Sequence, residues 1–78
     1  MLDMQAAIKK AEEFLKSVYP GTNDVIVEEM IPPDEESPSR SWHVTLSFYN
    51  MRGERNLKEF QVDAATGSVR GMYMRHVR

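Results

Sequence analysis

The first quarter of the chain has apolar side chains at intervals of three and four residues. This spacing places them along one side of an α-helix, with charged side chains on the other side. Asp3 is the predicted N-cap, and Pro20-Gly21 ends the helix because proline cannot continue the hydrogen-bond ladder. We therefore predict a helix over residues 3–19, with an apolar stripe of Met4, Ala7, Ile8, Ala11, Phe14, Leu15 and Val18.

The remaining chain contains segments that are typical of strands, rich in β-branched and aromatic residues or alternating apolar with polar. Residues 24–31 have three consecutive apolar side chains, so the pattern leaves open which face points inward. Residues 41–49 and 57–63 alternate more cleanly and place one row on the core side. That row comprises Trp42, Val44, Leu46, Phe48, Phe60 and Val62.

The last strand is predicted from Val69 to about Arg75, after a D-A-A-T-G-S turn over residues 63–68. Gly71 inside this strand is a candidate β-bulge. A bulge would give Val69 and the Met72/Met74 pair, which have opposite parity, apolar surroundings. In the turn, Asp63 is expected to accept hydrogen bonds from the backbone N–H of Ala65 or Thr66, with Gly67 in the left-handed conformation.

These elements predict one α+β domain spanning residues 1–78, with an N-terminal amphipathic helix on one face of a mainly antiparallel sheet of about four strands. Gly53 is expected at positive φ in the turn over residues 50–56. Residues 32–40 contain three prolines and three acidic side chains, which favour a flexible loop.

Composition narrows the function classes. The chain has no cysteine, which excludes disulfides and metal sites built on thiolates. No apolar run approaches the roughly 20 residues that span a bilayer, so we expect no membrane partner. A cytoplasmic location is expected if the chain is complete, and the location is unknown if a signal segment was removed.

Charge is divided unevenly along the chain. Residues 1–39 carry three Lys against nine Asp or Glu, a net of −6, and residues 40–78 carry seven Lys or Arg against three acids, a net of +4. Attraction between the two halves of the fold accounts for such a split. The Arg-rich half, with Trp42, Tyr49 and Tyr73 available for stacking, makes nucleic-acid binding the alternative function. The low pI of about 5.6 makes nucleic acid the less favoured partner.

Catalytic chemistry has few candidates in this sequence. His43 could act as a general base with Ser41 or Ser47, but no buried acid is placed to orient its ring. His76 lies near the end of the chain. Asp34, Glu35 and Glu36 are adjacent in a loop, where ordering them around an ion would be costly. We therefore expect no enzymatic activity, no cofactor and no metal site.

Protein partners are the favoured class. The segment G-M-Y-M-R would expose a soft apolar strip beside a sheet edge if one of its parities faces solvent. The predicted partner-binding residues are Arg70, Met72, Tyr73 and Met74. An unknown protein is the expected partner, and a homodimer through a sheet edge is a second possibility.

The order of segments resembles a known family. K-E-F-Q-V-D-A-A-T-G-S-V follows an A-A-I-K-K-A-E-E-F-L helix and a W-H-V-T-L strand. This arrangement resembles the PepSY domain and related small domains, which typically close with a V-D-A-x-T-G-x-V turn. The matching residues are Val62, Asp63, Ala64, Thr66, Gly67 and Val69. The resemblance implies a non-enzymatic interaction or regulatory module, of the kind found in protease propeptides and exported proteins, whose motif residues are structural.

Overall fold

One helix precedes four strands in the computed structural model of this chain, which describes residues 2–34, 36 and 40–74, with only the backbone of Met74. The strands form one antiparallel sheet in sequence order, and the helix packs on one face of it. The predicted α+β class is confirmed. The elements are α1 (Met4–Val18), β1 (Asn23–Ile31), β2 (Ser41–Tyr49), β3 (Arg55–Asp63) and β4 (Val69–Met74).

Helix α1 begins and ends as the sequence predicts, within one residue. The Asp3 carboxylate accepts a hydrogen bond from the Ala6 backbone N–H at 2.8 Å, which satisfies one of the unpaired donors of the first turn. Ala7, Ala11 and Leu15 are fully buried against the sheet. The two residues at the ends of the predicted apolar stripe are not buried. Met4 and Val18 remain 49% and 43% exposed because the buried core lies under the middle turns of the helix.

The central pair of strands carries the core. β2 and β3 pair in a continuous register from Ser41 opposite Asp63 to Tyr49 opposite Arg55. Alternate residues of both strands therefore face α1 together. Phe14 from the helix contacts Phe60 edge-to-face, with 6.2 Å between ring centroids. The buried apolar cluster consists of Ala7, Ala11, Leu15, Val44, Leu46, Phe48, Phe60 and Val62.

Two irregularities in β1 explain why its alternation was hard to interpret. The register with β2 shifts between Asn23 and Ile26 and again between Val27 and Glu29. The second shift lets Val27 and Met30, three residues apart, lie opposite the core residues Leu46 and Val44. A β-bulge of this kind changes the parity of every residue beyond it. No single alternation pattern could describe this strand.

β4 contains a bulge, as predicted, but the inserted residue is Arg70, one residue before the predicted Gly71. Gly71 lies opposite Gln61, whereas Val69 lies opposite Val62, so one extra residue is inserted between these pairs. Val69 and Met72 both pack against the core as a result. The bulge is the physical reason that an odd and an even position of β4 share one side of the sheet.

The D-A-A-T-G turn also forms as predicted. Asp63 Oδ1 accepts hydrogen bonds from the backbone N–H groups of Ala65 at 2.8 Å and Thr66 at 3.0 Å, and Gly67 has φ +79°. Hydrogen bonds from Thr66 and Ala65 hold the pKa of Asp63 below its usual value of 3.8, and the Arg70 guanidinium acts in the same direction against partial burial.

The N-terminal segment is tied to this turn. The Trp42 indole N–H donates to the Leu2 carbonyl at 3.0 Å, and the Leu2 backbone N–H donates to the Ala64 carbonyl at 2.7 Å. A Cβ atom at Gly67 would lie only 3.2 Å from Leu2 Cδ1, so glycine there serves close packing as well as positive φ. These contacts join the start of α1 to the β3–β4 hairpin.

The loss of folding stability at low pH, the acid limb of the stability curve, should depend on Asp63. Because the pKa of Asp63 is lowered by folding, its contribution is present above the unfolded-state pKa and is lost as pH falls through the folded-state value. We expect Asp63→Asn to lower stability at neutral pH and to reduce the loss of stability below about pH 4. Urea denaturation at several pH values measures this, with the exposed Glu13→Gln as control. Identical acid limbs for wild type and Asp63→Asn would contradict it.

The limits of the buried stripe can be tested by truncating two of its positions. Leu15→Ala removes a fully buried side chain and should reduce the free energy of unfolding by about 2–5 kcal/mol. Val18→Ala, one turn further on, should change it by about 0.5 kcal/mol or less because that side chain is half exposed. Chemical denaturation of both variants measures the difference. Equal losses would show that the helix is buried to its end.

Candidate functional site

The sheet face opposite α1, here called the open face, is crossed by cross-strand polar contacts. Thr45 and Ser47 lie on it in β2 and are only 2% and 1% exposed, although none of the described elements covers this face. Longer side chains of β1 and β3 lie over these small ones. The open face therefore combines these polar contacts with exposed apolar side chains, namely Ile26, Ile31 and Tyr73.

A cluster of polar groups closes one half of the open face. Ser47 Oγ donates to Glu28 Oε1 at 3.1 Å and accepts from Arg55 Nη2 at 2.8 Å, and Arg55 also lies 3.3 Å from Glu28. The Arg55 guanidinium lies 5.8 Å from the centroid of the Tyr49 ring. A shallow hollow borders this cluster, beside Asn56 and Leu57. The contact between Glu28 and Arg55 joins the acidic and basic halves of the chain.

His43 has an acidic partner that the sequence analysis missed. Glu59 Oε2 lies 3.1 Å from His43 Nδ1, with the two side chains 33% and 17% exposed. The sequence predicted no buried acid beside this ring, but the register of β2 with β3 places the partly buried Glu59 diagonally across from His43. Ser47 directs its hydrogen bonds to Glu28 and Arg55 instead. Glu59 therefore orients the His43 imidazole, but Ser47 does not supply a hydroxyl nucleophile beside it.

The predicted partner-binding strip is divided between the two faces of the sheet. Met72 packs against the core, whereas Tyr73 is 51% exposed. The Tyr73 ring lies over Gly71, where an added Cβ would be 2.8 Å from the Tyr73 hydroxyl. Arg70 lies 3.7 Å from the Asp63 carboxylate. The side chain of Met74 and all of Arg75 to Arg78, including His76, lie outside the described residues.

Two of the side chains proposed for nucleic-acid contact are engaged within the protein. Trp42 is partly buried against the core and its indole N–H is bonded to Leu2. Arg55 is paired with Glu28 and lies against Tyr49. Stacking on Trp42 would require the N-terminal segment to move. Trp42 and Arg55 are therefore engaged within the protein, whereas Tyr73 remains 51% exposed.

An apolar groove lies where α1 ends, β1 begins and the β2–β3 turn approaches them. We call it the end groove. Its volume is about 250 Å³. Three of the more exposed large apolar side chains of the molecule meet here: Val18, Tyr19 and Met51, the last 85% exposed. The lining residues are Val18, Tyr19, Pro20, Gly21, Thr22, Asn50, Met51 and Arg52.

Met51 and Gly21 form the closest contact across the end groove. An added Cβ at Gly21 would collide with Met51 Cγ, so only glycine allows the methionine to lie on this backbone. The turn that carries Met51 is held by Asn50, whose side-chain oxygen accepts from the backbone N–H of Arg52 and of Glu54, both at 2.9 Å. A flexible side chain is thereby presented on an ordered turn.

A second hollow adjoins the end groove and shares Tyr19 and Asn50 with it. Lys58 lines this hollow, with its ammonium 5.0 Å from the Tyr19 ring centroid and 3.5 Å from the Tyr19 hydroxyl. Cations near an aromatic face are stabilised by the electron-rich ring. Tyr19 therefore separates an apolar groove from a cationic hollow.

One polar atom beside the end groove is not satisfied. The Thr22 hydroxyl is buried and has no hydrogen-bond partner among the described residues. A buried hydroxyl without a partner costs about 1–3 kcal/mol. The packing around Gly21 and Thr22 is therefore less favourable than in the core under α1.

The end groove was not predicted from the sequence. Val18 was assigned to the apolar stripe of the helix, and the sequence predicted no role for Met51. The available signal was the apolar pair Val18 and Tyr19, directly before Pro20-Gly21, which ends the helix. An apolar side chain in the last turn of a helix has no following turn to pack beside it. The register that brings Met51 across to Gly21 is not visible in the sequence.

Within residues 2–34, 36 and 40–74, no three or more His, Asp or Glu side chains form a group that could hold a metal ion. Helix α1, at 15 residues, is too short and too polar to cross a bilayer, and the described chain has no other candidate span.

Comparison with known proteins adds no relative. Protein-family models, curated proteins and solved structures were each compared with this chain, and none of them matches it.

Proposed function

We propose that this chain is a non-catalytic protein-interaction or regulatory module that binds its partner in the end groove. The observation that carries the proposal is the meeting of Val18, Tyr19 and Met51, all exposed, around an apolar concavity. Exposed large apolar side chains grouped in one concave patch are characteristic of binding sites, whereas single exposed ones are ordinary. Burying them on a partner would remove apolar surface from water.

The other surfaces support the proposal by contrast. On the open face, Glu28, Ser47 and Arg55 already satisfy one another, and His43 is paired with Glu59. A partner on that face would have to break these contacts or bury them, which is costly for charged groups. The end groove presents apolar surface without such a cost.

The sequence resemblance agrees with this proposal. PepSY domains, which the V-D-A-x-T-G-x-V hairpin resembles, are non-enzymatic modules. In this chain the hairpin residues have structural roles, with Asp63 and Gly67 closing the turn. The nucleic-acid alternative has less support, because Trp42 is bonded to Leu2 and Arg55 is paired with Glu28.

Site-specific photo-crosslinking tests the proposed docking site. A photoreactive amino acid at position 51 should give discrete protein adducts in cell lysate, because Met51 is the most exposed apolar side chain of the groove. The same group at position 31, which is also exposed but lies on the open face opposite His43, is the matched control. Tyr19→Asp should abolish the position-51 adducts without loss of the folded circular-dichroism spectrum. The proposal is wrong if position 51 gives no adducts, or the same adducts as position 31.

A further inference from the structure

We infer that the partner segment is acidic and inserts one apolar side chain into the end groove beside a carboxylate. This inference rests on the proposed docking function and adds the chemistry of the partner. It depends on three features of the site: the size and polarity of the groove, the sign of the charges around it, and the adaptability of one wall.

The groove itself selects an apolar group. Its volume is about 250 Å³ and its exposed surface is mainly apolar. Val18, Tyr19 and Pro20 form one wall and Met51 the other, so water here has few hydrogen-bond partners. Poorly bonded water is displaced favourably by an apolar group. A single large aliphatic or aromatic side chain suits this space.

The charges around the groove select an anion. Arg52 lines the end groove and Lys58 lines the adjoining hollow, and among the residues that the structure describes no acidic one lines either. The ion pairs described above involve other cations, namely His43, Arg55 and Arg70. The nearby acid Glu54 lies outside both linings and accepts from Asn50 Nδ2 at 3.4 Å. A carboxylate beside the inserted side chain would therefore meet Lys58 or Arg52.

Tyr19 connects the requirement for an apolar group with the requirement for an anion. Its ring forms part of the apolar wall, and its hydroxyl lies 3.5 Å from the Lys58 ammonium. An ammonium group has three donors, so this contact leaves Lys58 with donors for an incoming carboxylate. The ligand must then present an apolar group and an anion within one side chain's length of each other. A segment with alternating acidic and large apolar residues meets that condition.

Met51 provides the adaptable wall. Methionine is unbranched and polarisable, so it adjusts to apolar groups of different shape. Its backbone is fixed by the hydrogen bonds that Asn50 makes to Arg52 and Glu54. The site therefore fits a class of acidic segments with a leucine, methionine or phenylalanine anchor.

Peptide titration followed by two-dimensional ¹H–¹⁵N NMR tests the inference on the full chain. The probe is acetyl-Ser-Glu-Phe-Glu-Ser-amide, and the matched peptides replace both Glu by Gln or by Lys. We expect the acidic peptide to shift the amides of Val18, Tyr19, Gly21, Met51 and Arg52, with weaker binding at high salt. The Gln peptide should bind several-fold more weakly, and the Lys peptide more weakly still.

Variants of the protein distinguish the ionic contact of the peptide from its apolar contact. Lys58→Ala and Arg52→Ala should each weaken the acidic peptide by about two- to fivefold, the range of a surface ion pair, and should leave the Gln peptide unaffected. Lys9→Ala, an exposed cation on α1, is the charge-matched control and should change nothing. Val18→Ser should weaken both peptides, with folding checked by thermal melting.

The opposing outcomes are distinct. Equal affinity for the three peptides, shifts confined to the open face, or tighter binding of a single-stranded oligonucleotide or of decanoate would each overturn the acidic-segment inference. If position 51 still gives protein adducts while the acidic peptide does not bind, the partner chemistry alone is wrong. If neither occurs, the docking function is wrong as well.

Discussion

The contact between α1 and the β2–β3 pair is the interaction on which the rest of this structure depends. Ala7 and Ala11 are small enough to bring the helix close to the sheet, and Leu15 and Phe14 then reach the row that contains Phe60. A single helix of 15 residues covers only part of a four-stranded sheet. The open face and the end groove both lie where this helix leaves the sheet uncovered.

The two regions that α1 leaves uncovered differ in their side chains. On the open face, Ser47 is bridged by Glu28 and Arg55 and His43 is paired with Glu59, so the polar groups are satisfied between scattered apolar side chains. The end of α1 is apolar, and there Val18 and Tyr19 extend past the buried core towards Met51. A face whose polar groups satisfy one another has little to gain from a partner, whereas an exposed apolar concavity does. This difference favours the end groove as the functional surface.

Local sequence signals predicted most of the fold. The cap at Asp3, the alternation of β2 and the turn at Asp63 depend on nearby residues, and each was confirmed. Features that depend on register were missed. Glu59 reaches His43 only through the pairing of β2 with β3, and the parity change in β1 is visible only from its pairing with β2. The end groove needs three separate segments to meet, so the sequence could not indicate it.

Native-state hydrogen exchange tests most directly the claim that the coverage by α1 determines the structure. Amides of β2 and β3 under the helix should exchange only through global unfolding, whereas those of Tyr19, Thr22 and Gly53 around the end groove should exchange faster through local opening. Slow exchange around the groove equal to that at Val44 and Phe60 would contradict the account, because it would make this end part of the core.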